Sequence, residues 1–224
     1  EDQTMEAIAC IVTRASVRKF RPDNVPAEEI REIVRAAQWS PSYKNSQPWQ
    51  VVAVSGSRKE ELTSLLLGLL EQNAPPTPDL PTPREWPEPQ HSLITELMAK
   101  RSALAGIDLN APEFVIRSKK ANFRFYGAPC GLFLTHNAAL GPWSILDAGM
   151  FAQSLMLAAH ARGLATVPQA FLTDYAAQVK EFLGLSADTR LLLGMSLGYP
   201  ADAPEAMPLR PERVPLEDVL RFIG

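Results

Sequence analysis

Residues 146–162 read as a helix with almost no polar face: Met150, Phe151, Leu155, Met156, Leu157, Ala158 and Ala161 run nearly all the way round it. A helix of that kind must be covered on most sides. In a chain of 224 residues a second copy is a natural cover, so the pattern predicts an obligate dimer. Asp147 is expected near the start of this helix, and Gly163 at its end.

The segments around it are set by periodicity and punctuation. Residues 4–14 form a short helical pattern with Ile8, Ile11 and Val12 as its apolar stripe. A basic, extended segment follows at 14–21. Pro26 suits the first turn of a second helix, with Glu28 and Glu29 at its positive end and Ile30, Ile33, Val34 and Ala37 at helical spacing. Residues 49–55 read as a buried strand and 58–72 as a Leu-rich helix. Seven prolines among residues 74–90 exclude a helix or a central strand there. This stretch is either a linker or a lid, and Trp86 within it suggests packing against something. A helix from 91 to about 105 is expected next, then an aromatic cluster (Phe123, Phe125, Tyr126) ahead of a strand at 131–136. Residues 166–171 read as a strand and turn, with Thr173 or Asp174 capping a helix that stops at Gly184. A core strand covers 190–199, and the tail at 208–224 ends in a short amphipathic helix. Helices and strands alternate without tidy βαβ units, which favours an α+β class over a doubly wound sheet. No internal repeat interrupts the chain, which reads as one domain, 1–224, with an excursion at about 74–105.

Composition narrows the partners. A net charge of −3 gives no reason to expect nucleic acid or an acidic membrane surface. No apolar run approaches the ~20 residues of a membrane helix, and the acidic N-terminal residues do not read as a signal peptide. Cys10 and Cys130 are far apart and in no CxxC pairing, as expected for a reduced cytoplasmic compartment.

Chemistry is carried by three stretches. Arg14, Ser16 and Arg18 alternate along an extended segment, so their side chains can share one face; two guanidinium groups and a hydroxyl there form a phosphate receptor. Taken alone the same three residues also fit a solvated basic patch. Arg210 and Arg213 could close the other side of that phosphate, or form surface pairs with Glu212 or Glu217. The loop at 40–49, with two prolines and a run of hydroxyl and amide side chains, reads as a plain turn on its own, yet its donors and acceptors also suit the edge of a planar heterocycle. No G-x-G-x-x-G, P-loop or G-x-S-x-G occurs, and His91, His136 and His160 lack metal-ligand spacing. Without an acid, base or nucleophile constellation of its own, an enzyme built this way relies on a bound cofactor.

Together, Arg14-Ala15-Ser16-Val17-Arg18-Lys19-Phe20, Ser40-Pro41-Ser42-Tyr43-Lys44-Asn45-Ser46-Gln47-Pro48-Trp49, Val167-Pro168-Gln169-Ala170, Leu193-Gly194-Met195-Ser196-Leu197-Gly198-Tyr199-Pro200 and Arg213-Val214-Pro215-Leu216 resemble the FMN-dependent nitroreductase family. The resemblance runs from about Ala7 to Gly224, and Trp86-Pro87-Glu88-Pro89 resembles the subgroup that reduces nitrobenzoates and related nitroaromatics. It implies a mostly antiparallel central sheet flanked by helices, and a homodimer with exchanged tails and FMN at its interface. By the same resemblance, Arg14, Ala15 (through its backbone), Ser16, Arg18, Arg213 and Arg210 hold the ribityl phosphate. Pro41, Ser42, Tyr43 and Asn45 reach the flavin from the partner subunit, and Pro168, Gln169 and Ala170 pass along its other face. Gln169 stands where some members differ in polarity, and the turn lacks their acidic residue. Phe123 is the candidate for stacking on a small aromatic substrate; a core role is the alternative. The activity implied is ping-pong reduction of a nitroaromatic to nitroso and hydroxylamine products, with NAD(P)H, leaning to NADPH, as transient hydride donor and water as proton source. A quinone or ene reductase, a reductive dehalogenase and a non-catalytic flavin-binding dimer are the alternatives on the same fold.

Overall fold

The computed structural model describes residues 6–106, 108, 111–202 and 209–224. The sheet at its centre is antiparallel, in the order β1 (Gln50–Ser55), β2 (Cys130–Asn137), β4 (Thr189–Gly198), β3 (Ala165–Gln169). Period-two alternation on β2 sorts its side chains between two cores. Leu132 and Leu134 face one, and Phe133 faces the other.

The first core packs α2 (Ala27–Ala37) and α6 (Pro142–Ala161) on the sheet through Ile33, Ala37, Phe151 and Leu155, with Trp49 stacked on Phe151 at a centroid distance of 4.9 Å. The second holds α3 (Gly56–Glu71) and α7 (Ala176–Phe182), with Leu62, Leu66 and Val179 against Phe125, Phe133 and Tyr175. Two close approaches demand glycine. A Cβ at Gly194 would sit 2.4 Å from Leu172 Cβ, and one at Gly131 would strike the Phe125 ring.

The remaining helices surround the ends of the sheet. α1 (Ala7–Thr13) lies on α6, with Cys10 Sγ donating to the Leu157 carbonyl; residues 4 and 5 of the expected helix fall outside the described residues. α4 (Gln90–Ala105) follows the proline-rich stretch and stops at Gly106, whose φ of 62° favours glycine. α5 (Pro112–Phe123) was not expected from the aromatic cluster; Pro112 at its first turn and Glu113 beside it are ordinary helix-start residues.

Several expectations are corrected. The apolar helix begins at Pro142, so Asp147 sits a turn and a half inside it rather than at its start, and is buried. β1 is an edge strand and mostly half-exposed, because nothing pairs on its outer side among the described residues. Neither Thr173 nor Asp174 caps α7. Tyr175 holds that position, while Thr173 donates to the Ala170 carbonyl and Asp174 pairs with Lys119 at 2.9 Å. Trp86 is half-exposed instead of packed. The proline-rich stretch is pinned earlier, where Asp79 pairs with Lys180 at 2.8 Å and accepts from the Leu191 amide at 2.8 Å. The tail holds one 3-10 turn at Leu216–Asp218 in place of an amphipathic helix, and Pro208 lies outside the described residues.

His136 on β2 is fully buried, and neither ring nitrogen has a hydrogen-bond partner. Burial, then the charge on Arg190, holds its pKa below the usual histidine value. His160 is lowered in the same way, by burial and then by Arg14 and Arg210. In the unfolded chain both take up a proton near pH ~6.5, which the folded protein resists. Stability is therefore complete above that pH and lost as pH falls through it toward the folded values. The thermal midpoint should drop between about pH 7.5 and 5.5, and His136→Leu should flatten part of that slope. A slope unchanged by the substitution would assign the titration to other groups.

Candidate functional site

Residues 14–21 leave α1 as an extended strip clipped onto the sheet. The Val17 amide donates to the Thr166 carbonyl at 3.1 Å, the Arg21 amide to the Tyr199 carbonyl at 2.9 Å, and Ser16 bridges Thr166 in parallel sense. Val17 points into the protein, so Arg14, Ser16 and Arg18 turn the other way, as the alternation predicts. They open into a cavity of about 600 Å³.

Four elements complete that cavity: Ile11 and Val12 of α1, Leu97 and Arg101 of α4, Gln153 of α6, and Arg210 and Arg213 of the tail. Arg210 is fixed by donating to the Val12 carbonyl at 3.1 Å and to the Thr13 carbonyl. Lys100 ties α4 to the tail, lying 3.6 Å from Glu96 and 3.7 Å from Glu212. Thus the excursion after the proline-rich stretch folds back over the arginines.

Five arginines line the cavity and no carboxylate does, among the described residues. Arg14 Nη1 and Arg18 Nε are buried without any hydrogen-bond partner. Burial lowers the pKa of Arg14, with Arg213 and Arg210 adding repulsion; burial and then Arg101 do the same for Arg18, partly offset by Tyr126. Arginine does not lose its proton in such settings, so the charge stays and the donors stay unsatisfied until an anion arrives. A phosphate-bearing ligand fits this donor set.

The loop at 40–47 stands apart from this cavity: Pro41, Ser42, Tyr43 and Asn45 do not line it, and neither do Pro168, Gln169 or Ala170. Lys44, Asn45 and Gln47 all take positive φ, at 52°, 57° and 45°, a conformation that costs non-glycine residues energy and collects at functional positions. The anchor is Asp147. Its carboxylate accepts from the Tyr43 amide at 3.1 and 3.2 Å and from the Ser46 hydroxyl at 3.5 Å. The Ser42 hydroxyl accepts the Gln47 amide, and Tyr43 stacks on Trp143 at 5.6 Å. A carboxylate inside an otherwise apolar helix must be paired, which is the signal by which Asp147 could have been found.

Two assignments change. Phe123 is completely buried, packed on Tyr175 at 5.9 Å, and presents no surface to a substrate. The alternative core role is the one the structure gives. The Gln169 side chain is also buried and turned inward. Its amide nitrogen donates to the Asn122 carbonyl and Oδ1, both at 3.1 Å, and its oxygen lies in reach of the Ser196 hydroxyl. Asn122 in turn donates to Tyr126 Oη at 3.0 Å. This chain fastens the end of α5 to β3 and β4, a role that the residue types alone did not reveal. Neither thiol is poised for chemistry: burial raises Cys10 and pushes Cys130 up to about 12.

An antiparallel sheet between helical layers, with an arginine-lined cavity between the strip at 14–21, α4 and the tail, suits a class of protein that holds a phosphorylated cofactor. A model of the nitroreductase family matches residues 11–199, and the chain belongs to that family. It is 34% identical over 219 residues to the 4-nitrobenzoate reductase of Pseudomonas putida, covering 96% of this chain and 95% of that one. The chloronitrobenzene nitroreductase of Comamonas testosteroni is 29% identical over 94% of this chain and 93% of its own length. The fold is that of the FMN-dependent nitroreductase NfnB of Mycobacterium smegmatis, solved with NADPH. The two superpose with a TM-score of 0.92 at 32% identity, over 97% of this chain and 98% of that one.

Asp147→Ala should cost about 1–3 kcal/mol, the value of hydrogen bonds to a charged acceptor. Hydrogen exchange should accelerate at residues 42–47 in particular. Unchanged exchange there would show that the loop holds its positive-φ turns without the carboxylate.

Proposed function

We propose that this protein is an FMN-dependent NAD(P)H oxidoreductase that reduces nitroaromatic compounds, working as a homodimer. The observation that carries the reading is the pair of buried, unpartnered donors on Arg14 and Arg18 inside a cavity lined by five arginines. Arg14, Ser16, Arg210 and Arg213 would hold the FMN phosphate, and Arg18 the adjoining part of the cofactor. FMN held there would supply two-electron redox chemistry between the nicotinamide coenzyme and the nitro group.

The chain's own residues bind, orient and exclude. Arg14 and Arg18 neutralise ligand charge in a partly desolvated cavity, where charge-assisted bonds are strong. α4 and the tail close one side, and the tie from Lys100 to Glu212 joins them. Among the described residues the cavity wall carries no carboxyl, histidine or thiol, so solvent is the proton source. NADPH is the favoured donor, because the similar protein from Mycobacterium smegmatis was solved with it.

Dimer formation rests on uncovered apolar surface. Trp143 and Leu146 on α6 lie at 62% and 55% exposure, and Ile8 of α1 is exposed as well. Trp143 and Leu146 are the part of the apolar helix one protomer leaves bare, and a second copy would cover them. The tail exposes Leu216, Val219, Phe222 and Ile223, while the outer edge of β1 is unpaired among the described residues. An exchanged tail would bury both. In that arrangement Pro41, Ser42, Tyr43 and Asn45 would reach the partner's cofactor, which explains why they lie outside the cavity of their own protomer. Pro168 and Ala170 would border the flavin, with Gln169 contributing backbone only. We read residues 1–224 as one such domain with a lid at 74–105.

Anaerobic NADPH should bleach the flavin bands of the purified protein, and nitrobenzene should restore them. A colourless protein that takes up no FMN would end the reading. Arg14→Ala should weaken FMN binding by about 10- to 100-fold, the value of a charge-assisted hydrogen bond, while sedimentation still reports the dimer. Full flavin occupancy in that variant would overturn the phosphate assignment.

A further inference from the structure

Arg18 forms a shared wall. On its far side lies a second cleft of about 530 Å³, lined by one face of α5 together with Tyr126 and Gly127. Arg117, Lys120 and Arg124 fall at helical spacing on that face, three and four residues apart. Like charges so placed disfavour the helix. None of the three has an ion-pair partner or a side-chain hydrogen bond among the described residues. With Arg18 the cleft gathers four cations against one carboxylate, Glu113, on a chain whose net charge is −3. Such a concentration, with a single carboxylate against it among the described residues, focuses potential into the cleft.

The rest of the lining is apolar or aromatic. Ile116 and Ala121 come from α5, and the Tyr126 ring lies 5.8 Å from the Arg18 guanidinium carbon. Phe125 and Tyr126 both take positive φ, at 53° and 52°, and Asn122 holds the Tyr126 hydroxyl at 3.0 Å. Strain held by surrounding bonds fixes this ring at the cleft. Cations beside an apolar floor and a fixed ring suit a flat organic anion: ring against Tyr126 and Ile116, carboxylate against guanidinium.

We propose that Arg117 and Lys120 of α5 and Arg124 at its C-terminal cap, with Arg18, form the recognition site for the carboxylate of an anionic nitroaromatic substrate, making this a reductase of nitrobenzoate-type compounds over neutral nitroarenes. The proposal rests on the reading of the protein as a nitroreductase. α5 then sets substrate charge preference, while the arginine cavity on the other side of Arg18 serves the cofactor. The buried chain from Ser196 through Gln169 and Asn122 holds this helix in register with the sheet, so the cations keep a fixed position relative to the cofactor site.

The test uses the flavin-loaded dimer and the double variant R117Q/K120Q, with R117K/K120R as the charge-conserving control. Calorimetry on the oxidised protein should show 4-nitrobenzoate binding weakened by about 10-fold or more in R117Q/K120Q, the size of one lost charge-assisted contact. Nitrobenzene should change by less than about threefold, and R117K/K120R should keep most of the affinity for the acid. kcat/KM should follow the same split, and added salt should weaken 4-nitrobenzoate binding to the parent more than to R117Q/K120Q. Equal losses for both ligands, or none for the acid, would overturn the proposal. So would a rise in KM for NADPH, but not NADH, with 4-nitrobenzoate unaffected, since the coenzyme phosphate would then be the anion. If no nitro compound is turned over but the binding split persists, the failure belongs to the proposed reaction and not to the cleft.

Discussion

An arginine cannot shed its proton to escape burial, and the structure turns on that fact. Arg14 and Arg18 are drawn partly out of water by the strip that clips residues 14–21 to Thr166 and Tyr199. Among the described residues neither has a carboxylate beside it in the cavity, and Arg101, Arg210 and Arg213 add further positive charge. Removing one partner from a buried ion pair is strongly destabilising. A fold that leaves two buried guanidinium groups short of partners has that deficit filled when an anion binds. α4 and the tail both converge on this point, so the periphery of the molecule is arranged around the same unmet charge.

The sheet supplies the rigidity that such a site needs. β3 and β4 carry Gln169 and Ser196, and from them a buried run of hydrogen bonds passes through Asn122 to Tyr126 at the edge of the second cleft. On the opposite side of the sheet, α6 carries Asp147 to the loop at 40–47 and pins three positive-φ residues. Buried polar groups in low dielectric hold position well when fully satisfied. The turn at Pro168–Ala170 and the polar loop at 40–47 are each backed by such a group.

Much of this was legible in the sequence. The alternation of Arg14, Ser16 and Arg18 put them on one face, because two-residue periodicity in an extended strip needs no tertiary information, and the structure brings that face to one cavity with Arg210 and Arg213. The four strands were readable from apolar runs and their glycine boundaries. What failed did so where tertiary contact overrides local pattern. Phe123 and Tyr126 share an aromatic cluster, yet one is buried against Tyr175 and the other edges a cleft; only the packing of α5 separates them. Gln169 looked like a flavin-facing side chain, but the strand parity that buries it also feeds it two acceptors from Asn122. α5 itself escaped notice because its face is cationic rather than apolar, so no hydrophobic stripe marked it. Asp147 was assigned near a helix start at 146, whereas the helix begins four residues upstream, at Pro142.

The most direct test of the central claim is to titrate the apoprotein with FMN and with riboflavin, which differ only in the phosphate. If the guanidinium cluster exists to receive that group, FMN should bind at least about 100-fold more tightly, the sum of two charge-assisted contacts, and the gap should shrink with added salt. Equal affinities for the two flavins would contradict the account and leave the five arginines to some other anion.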